Sequence, residues 1–581
     1  MLSAPSPAAA CGGTFCDGNN GTPVDQTGET IVFAQGGGFV EAHVQINYEG
    51  GDANDFSWIV PVPAVPEIDV GSLAFIESLR SATVPSYGIV TGTSECPSGS
   101  GIGFLSEPDG GGTSIDPDPE VIELSTVGAF DFVVLQGGTA ATMMQWLDDN
   151  GYAPNPIAPE LFDQYIDEGH VFVAFKLNHL AGIEDLHPVV IRYPGSEPCI
   201  PLRLTAVAVE DNMDIRAFFL GESRVMPTNY KHVRINSTRL DWQQRAPEYG
   251  EVVAKALDEA GGRAFMTEFA GSTDVVDTAP IDSTGLDDAA FLDIDPLTAV
   301  NVLVDQGLAF CTDSCVYGHE LVPLLLREFL PPPADVDADT YYACLSCYEE
   351  LGDTSAWDGA AFAERYREFI TEPMNHADDL LITWPYLTRL YSRMSGPEMK
   401  VDPMFAEVDG LPNIPNVLGA QRNTDACCED TVILPDGASV RLMGGSWPTW
   451  TDDMPYAAVI QQYQPAGPPA VETDNLDAIN ALLAAHNQDV AEALDCAEGS
   501  TGGDTGEPGT SGGAVDPTTT GGATPPPPGG TSTGPASGGS TSGADPGQLD
   551  DDGACRVGSD APAGWMAMVF GMLLGARRRR R

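Results

Sequence analysis

The chain has almost no lysine. Lys176, Lys231, Lys255 and Lys400 are all it carries, and Lys and Arg together number 26 against 85 Asp and Glu, for a formal net charge of −59. A field of that sign repels nucleic-acid phosphates and anionic lipid surfaces while favouring solubility and weak cation binding. A nucleic-acid partner is therefore excluded. A glycine-rich phosphate-binding loop is also missing. His319-Glu320-Leu321-Val322-Pro323 opens like a zincin motif, but proline stands where the second histidine belongs. Gly509-Thr510-Ser511-Gly512-Gly513 fits the string of a nucleophile elbow, yet it sits in a Gly/Ser tract with no strand before it and no helix after it. Long apolar runs are absent too. The best candidate, Ala561–Ala576, is about 16 residues, just under the roughly 17–25 that span a bilayer as a helix. Met1–Ala10 has no apolar core of a secretory leader. The expectation is that translation starts upstream and that 1–10 is the remnant of a leader, ending in Ala8-Ala9-Ala10-Cys11.

What is present argues for a folded body on a tether. Hydrophobic residues make up 42% of 581, enough for a large core. In the first half, apolar residues alternate with polar ones. Val40, Ala42, Val44, Ile46 and Tyr48 alternate with Glu41, His43, Gln45 and Asn47, the period-two signature of a half-buried strand that leaves His43 on the solvated face. Phe56–Pro63 reads as a buried strand leaving through prolines, and 170–178 as a strand with Val171, Val173, Phe175 and Leu177 inward. Further strands are expected at 188–193, 202–210, 215–220 and 233–236. From about residue 248 the period changes to three and four, predicting helices over 251–260, 296–306, 319–329, 338–351, 360–370 and 378–394. Pro435-Asp436-Gly437 signals a hairpin, and an amphipathic helix follows over 476–494.

The fold class is thus α+β. An antiparallel β-rich region (sheet or sandwich) over 11–247 precedes a helical region over 248–425 and a hairpin with a terminal amphipathic helix over 426–497. A Gly/Ser/Thr/Pro tether over 498–554, with almost no large apolar side chain, reads as disordered. The last segment, 555–581, carries Cys555, the short apolar helix and Arg577, Arg578, Arg579, Arg580 and Arg581. Basic flanks resist translocation, so the segment predicts a membrane contact with everything upstream outside the cytoplasm.

Candidate metal ligands are few. Cys311-x3-Cys315 and Cys344-x2-Cys347 could hold zinc through four thiolates, but in an exported protein disulfides are the stronger expectation. Adjacent Cys427 and Cys428 are expected to point to separate partners. Asp335, Asp337 and Asp339 open like a calcium loop, yet Thr340 replaces its glycine and Ser346 its closing glutamate. Weak Ca²⁺ binding at such carboxylates is the most that follows, and an organic cofactor is not called for. No catalytic residue can be assigned.

Two resemblances add to this. The order Cys555, Gly564–Ala576, Arg577–Arg581 resembles the MYXO-CTERM sorting signals of myxobacterial surface proteins, which implies recognition by a membrane sorting protease with the cysteine as the cleavage and anchoring position. Six stretches resemble the bacterial domain-of-unknown-function family 2330. They are Cys11–Cys16, Pro23–Glu29, Asp55–Pro66, Pro201–Thr205, Asn229–Asn236 and Tyr386–Met394 with Met399–Phe405 after it. That likeness spans most of 11–405 and implies export; it brings no catalytic residue with it. The expectation is an exported, surface-anchored binding or structural module, with a secreted hydrolase or metalloenzyme assembled from distant residues as the alternative.

Overall fold

A computed structural model describes residues 25–49, 57–91, 120–150, 159–182, 185–195, 197–206, 209–312, 314–348, 355, 357–424 and 430–493. The leader, Cys11, Cys16, Cys427, Cys428, the tether and the 555–581 segment lie outside these residues. Among the described residues no helix is long and apolar enough to cross a membrane.

The first two strands, β1 (Asp25–Gly36) and β2 (Phe39–Glu49), form an antiparallel hairpin with Gly36 opposite Phe39. The two-residue connection, Gly37-Gly38, has φ of 64° and 85°. Both values lie in the left-handed region that a type I′ hairpin turn requires and that glycine adopts without strain.

This hairpin sits inside a ten-stranded sheet. Its order is Ala470–Asp474, Ala457–Gln462, Lys231–Ile235, Ala264–Ser272, Tyr386–Met394, Val209–Gly221, β1, β2, Val189–Pro194 and β4 (Glu67–Val70). Two neighbour pairs are parallel, β1 with Val209–Gly221 and Lys231–Ile235 with Ala264–Ser272; the others are antiparallel. A second sheet of four antiparallel strands, β3 (Ser57–Val62), Val171–Leu177, Phe130–Gln136 and Glu120–Val127, packs against it. Ile31, Phe33 and Val44 from the large sheet and Trp58, Val60 and Phe175 from the small one share one buried cluster.

Helices cover both outer faces. Helix α1 (Leu73–Thr83) and the Glu372–Thr383 helix bring Phe75, Ile76, Leu79 and Ala377 onto Val32, Ala34, Phe218 and Leu387 of the large sheet. The Ala140–Asp149 and Pro159–Asp167 helices lay Met143, Leu147 and Phe162 on Ile59, Val133 and Phe172 of the small one. The result is four layers, helix–sheet–sheet–helix, which explains why Val171–Ala174 and Ile31–Ala34 are buried without alternation. The α+β class read from the sequence is the one observed.

The strands do not stop at residue 248. Ala264–Ser272 and Tyr386–Met394 fall within the expected helical region, yet both lie in the interior of the large sheet. The helix expected over 378–394 ends at Thr383. Pro385 disfavours a helical conformation at Trp384, which is extended at φ −108°, ψ 112°, and the Tyr386–Met394 strand follows. Likewise Leu202–Thr205, expected in a strand, is a short helical turn after Pro201. The helices over 296–305, 322–329 and 359–366 build no core of their own, since Phe291, Leu325, Phe329, Phe362 and Tyr366 belong to the buried cluster of the sandwich. The Pro435–Gly437 turn does join paired strands, Val432 opposite Val440, with Gly437 at φ 91°.

Candidate functional site

Between the two sheets lies a cavity of about 640 Å³, inside the roughly 300–1,000 Å³ range of small-molecule sites. Alternation along the strands makes its walls. Ile31, Phe33, Ala42 and Val44 project from one face of β1 and β2, and Trp58 and Val60 meet them from β3.

One residue of this apolar surface is out of character. Glu29 continues the series Phe33, Ile31, Glu29 on β1, directly opposite Ile46 on β2 and Ile215 on the other side. It is 5% exposed, and its Oε2 has no hydrogen-bond partner. Burial pushes its carboxyl from an ordinary 4.5 up to about 7, because the charged form loses its hydration and gains nothing in return.

Most of the remaining polar wall is a network, beside which His170 Nδ1 is buried without a hydrogen-bond partner, 3.8 Å from Glu168 Oε2. Arg203, from the Leu202–Thr205 turn, gives Nε to Asp402 Oδ2 at 2.8 Å and its backbone N–H to Asp402 Oδ1 at 2.9 Å. Its two terminal nitrogens fork onto Glu168 at 2.8 and 2.5 Å. Tyr165 donates to Asp402 Oδ1 at 3.0 Å, and the Arg203 guanidinium stands 4.1 Å over its ring. Asn229 and Tyr230 hold the backbone carbonyls of Asp402 and Val401 at 2.7 and 2.6 Å. Cys199, a free cysteine, also lines the cavity. Burial raises its thiol far above the usual range, with the Asp402 carboxylate adding to the effect, so it stays protonated and a poor nucleophile. The cavity lining contains no serine among the described residues.

The residues nominated from sequence lie elsewhere. Cys311 is bonded to Cys315 across a short hairpin and Cys344 to Cys347, so the disulfide expectation holds and neither pair offers thiolates to zinc. Asp337 is the N-cap of the Ala338–Ala343 helix, its Oδ2 accepting from Thr340 N at 3.1 Å and from the Thr340 hydroxyl at 3.0 Å. A helix cap, not a calcium loop, accounts for it. Asp335 and Asp339 are exposed and join no metal-like cluster. His43, read as solvated, is 2% exposed: its face of β2 is roofed by α1 and the Glu372–Thr383 helix. Sequence reasoning missed Glu29, Arg203 and Asp402 as well. A signal was available, because the Pro23–Glu29, Asp55–Pro66, Pro201–Thr205 and Met399–Phe405 stretches each deliver a residue to this cavity.

The architecture is that of an α+β sandwich with a ligand-sized space between its sheets. The chain belongs to the family described as an uncharacterized protein conserved in bacteria (DUF2330), which matches residues 5–316. That span is shorter than the likeness read from the sequence, ending before Tyr386–Phe405. No curated protein and no solved structure matches the chain.

Proposed function

We propose that this is an exported, surface-anchored binding protein whose inter-sheet cavity holds a small molecule with an apolar body and one hydrogen-bonding group, neutral or cationic. The observation that carries this reading is a 640 Å³ apolar cavity lined by Glu29, whose Oε2 is buried with no hydrogen-bond partner, and by His170, whose Nδ1 is also unpartnered at the Glu168 end. A protonated Glu29 donates to a hydroxyl or carbonyl; an amine draws it into the ionised form. An anionic ligand is disfavoured by the net charge of −59. Arg203 offers little counterweight, being committed to Asp402 and Glu168. Binding is favoured over hydrolysis because, among the described residues, the lining pairs no activated nucleophile with a base. Export is supported by the two disulfides and by the Cys555, apolar, Arg577–Arg581 order.

The ligand test compares wild type with Ala42→Trp, which fills the cavity, in titrations with environment-sensitive alkyl-alcohol, alkyl-amine and fatty-acid probes. Saturable binding of the alcohol or amine probe, lost in Ala42→Trp, is expected. Equal binding by the filled variant, or preference for the fatty acid, contradicts the assignment. Location is tested separately: deleting 555–581 is expected to move the protein from the envelope fraction to the medium, and cytoplasmic retention of both forms would sink the anchoring reading.

A further inference from the structure

On the opposite face of the large sheet, two histidines and a glutamate from distant parts of the chain converge. Glu41 and His43 are two apart on β2 and so share a face. His376 reaches them from the Glu372–Thr383 helix. His43 Nε2 lies 2.8 Å and His376 Nε2 2.6 Å from the same carboxylate oxygen, Glu41 Oε1. The rings are stacked, 5.7 Å between centroids and 13° from parallel. All three donor atoms lie within 4.8 Å of one another, and no other group of three His, Cys, Asp or Glu among the described residues does so.

We propose that Glu41, His43 and His376 form a binding site for a divalent transition-metal ion of the imidazole-preferring class, with zinc as its first candidate.

The donor set is two imidazoles and one carboxylate, which leaves a fourth position of a tetrahedral ion for water or a ligand. Bonds of about 2.0–2.1 Å place tetrahedral donors roughly 3.3 Å apart. The two short contacts must therefore open by about half an ångström on loading. His43 cannot supply that movement, being buried edge-on against Phe75 at 5.5 Å. His376 can: its side chain is 44% exposed, which also leaves the cluster reachable from solvent. The neighbouring charges are mostly acidic. Asp69 lies in the same cross-strand row as His43, through Val190, and the fields of Glu41, His376 and Glu372 act on it. Arg192, opposite Glu41 in the register, is turned onto Glu67 at 3.1 Å and the Phe39 ring, so its guanidinium is engaged away from the donors. One feature limits affinity: His43 Nδ1 is buried with no partner. Loading Nε2 moves the imidazole proton to Nδ1, where no acceptor waits, so the site should be weaker than one whose outer shell is complete. Loading would tie the Glu372–Thr383 helix to β2 through a metal in place of hydrogen bonds.

The test uses the full chain under non-reducing conditions, dialysed against buffered Zn²⁺ with excess Mg²⁺ to occupy exposed carboxylates. One equivalent of zinc is expected by elemental analysis, and Co²⁺ in its place should show the visible bands of a tetrahedral site. His376→Gln retains a hydrogen bond to Glu41 but supplies no imidazole, and it should weaken binding on the order of 100-fold. Glu41→Gln should do likewise, while His486→Ala, remote from the cluster, should leave binding unchanged. Circular dichroism confirms that each variant folds. Absence of a stoichiometric ion in the wild type, or undiminished binding in folded His376→Gln, overturns the proposal.

Discussion

The two faces of the large sheet bury a carboxylate each, and treat it differently. On the helix-covered face, Glu268 accepts from Arg389 Nε at 2.5 Å and from the Tyr249 hydroxyl at 2.6 Å. Arg389 also donates to the Arg80 carbonyl and the Thr83 hydroxyl of α1 at 3.2 and 3.3 Å. Both Glu268 oxygens are answered, as a buried ion pair requires if it is not to cost stability. On the sandwich face, Glu29 is equally inaccessible yet has an oxygen with no partner, set between isoleucines at the edge of a cavity. Glu268 is spent on holding the fold. Glu29 keeps one oxygen in reserve, and that difference, more than burial itself, separates a structural carboxylate from a candidate binding group.

The comparison breaks most visibly through Arg389. Replacing it with methionine leaves Glu268 buried without its cation, and a loss of about 3–5 kcal/mol in urea unfolding is expected. A loss below 1 kcal/mol would mean that the helix-covered face is no more closed than the other.

Glu29 should behave in the opposite sense. Its folded pKa, about 7, lies above the ordinary 4.5. The folded state therefore binds the extra proton between those values, and stability falls as pH rises through that window. The loss is complete above pH 7 and absent below about 4.5, and at 1.36 kcal/mol per unit it amounts to about 3 kcal/mol. Glu29→Gln should be more stable than wild type by up to that amount at pH 8 and equal to it at pH 4. Parallel stability curves for the two proteins would show that Glu29 already has a partner.

Paired alanines sharpen the contrast at smaller scale. Ala34 faces the packed helices and Ala42 lines the cavity. Ala34→Leu is expected to cost about 1–3 kcal/mol by overpacking, and Ala42→Leu less than about 1 kcal/mol because free space takes up the added methyl groups. Equal costs, read from denaturant midpoints, would argue that the cavity collapses in solution.

The smallest effect belongs to the aspartates that the sequence put forward. Asp337→Ala should cost about 1 kcal/mol, the worth of an N-cap. Millimolar calcium should raise the melting temperature no more than sodium chloride at matched ionic strength. A calcium-specific shift lost in Asp337→Ala would restore the loop reading.

Local rules recovered the elements whose boundaries are set locally. The β2 strand, the helix after residue 295 and the two cysteine pairs follow from alternation, apolar residues three and four apart, and short spacing. The Ala264–Ser272 strand was invisible because both of its faces are covered, so it shows no period of two. His43 failed for the same reason seen from the other side: whether its face of β2 meets water depends on a helix more than 300 residues later. The cavity is less legible still. Residues 29, 58, 203 and 402 carry no mutual spacing, and only the topology brings them together.

That topology also sets the order in which the molecule can be made. Tyr386–Met394 is wedged between Val209–Gly221 and Ala264–Ser272, hydrogen-bonded to both. A chain cut at residue 316, where the family match ends, lacks the strand that joins them, so two half-sheets would each present an unpaired edge to any neighbour. During synthesis the first 385 residues wait in that condition. Such a chain gains from staying unfolded, or escorted, until its later segments emerge, a requirement that the export proposed above would meet by delivering the chain unfolded.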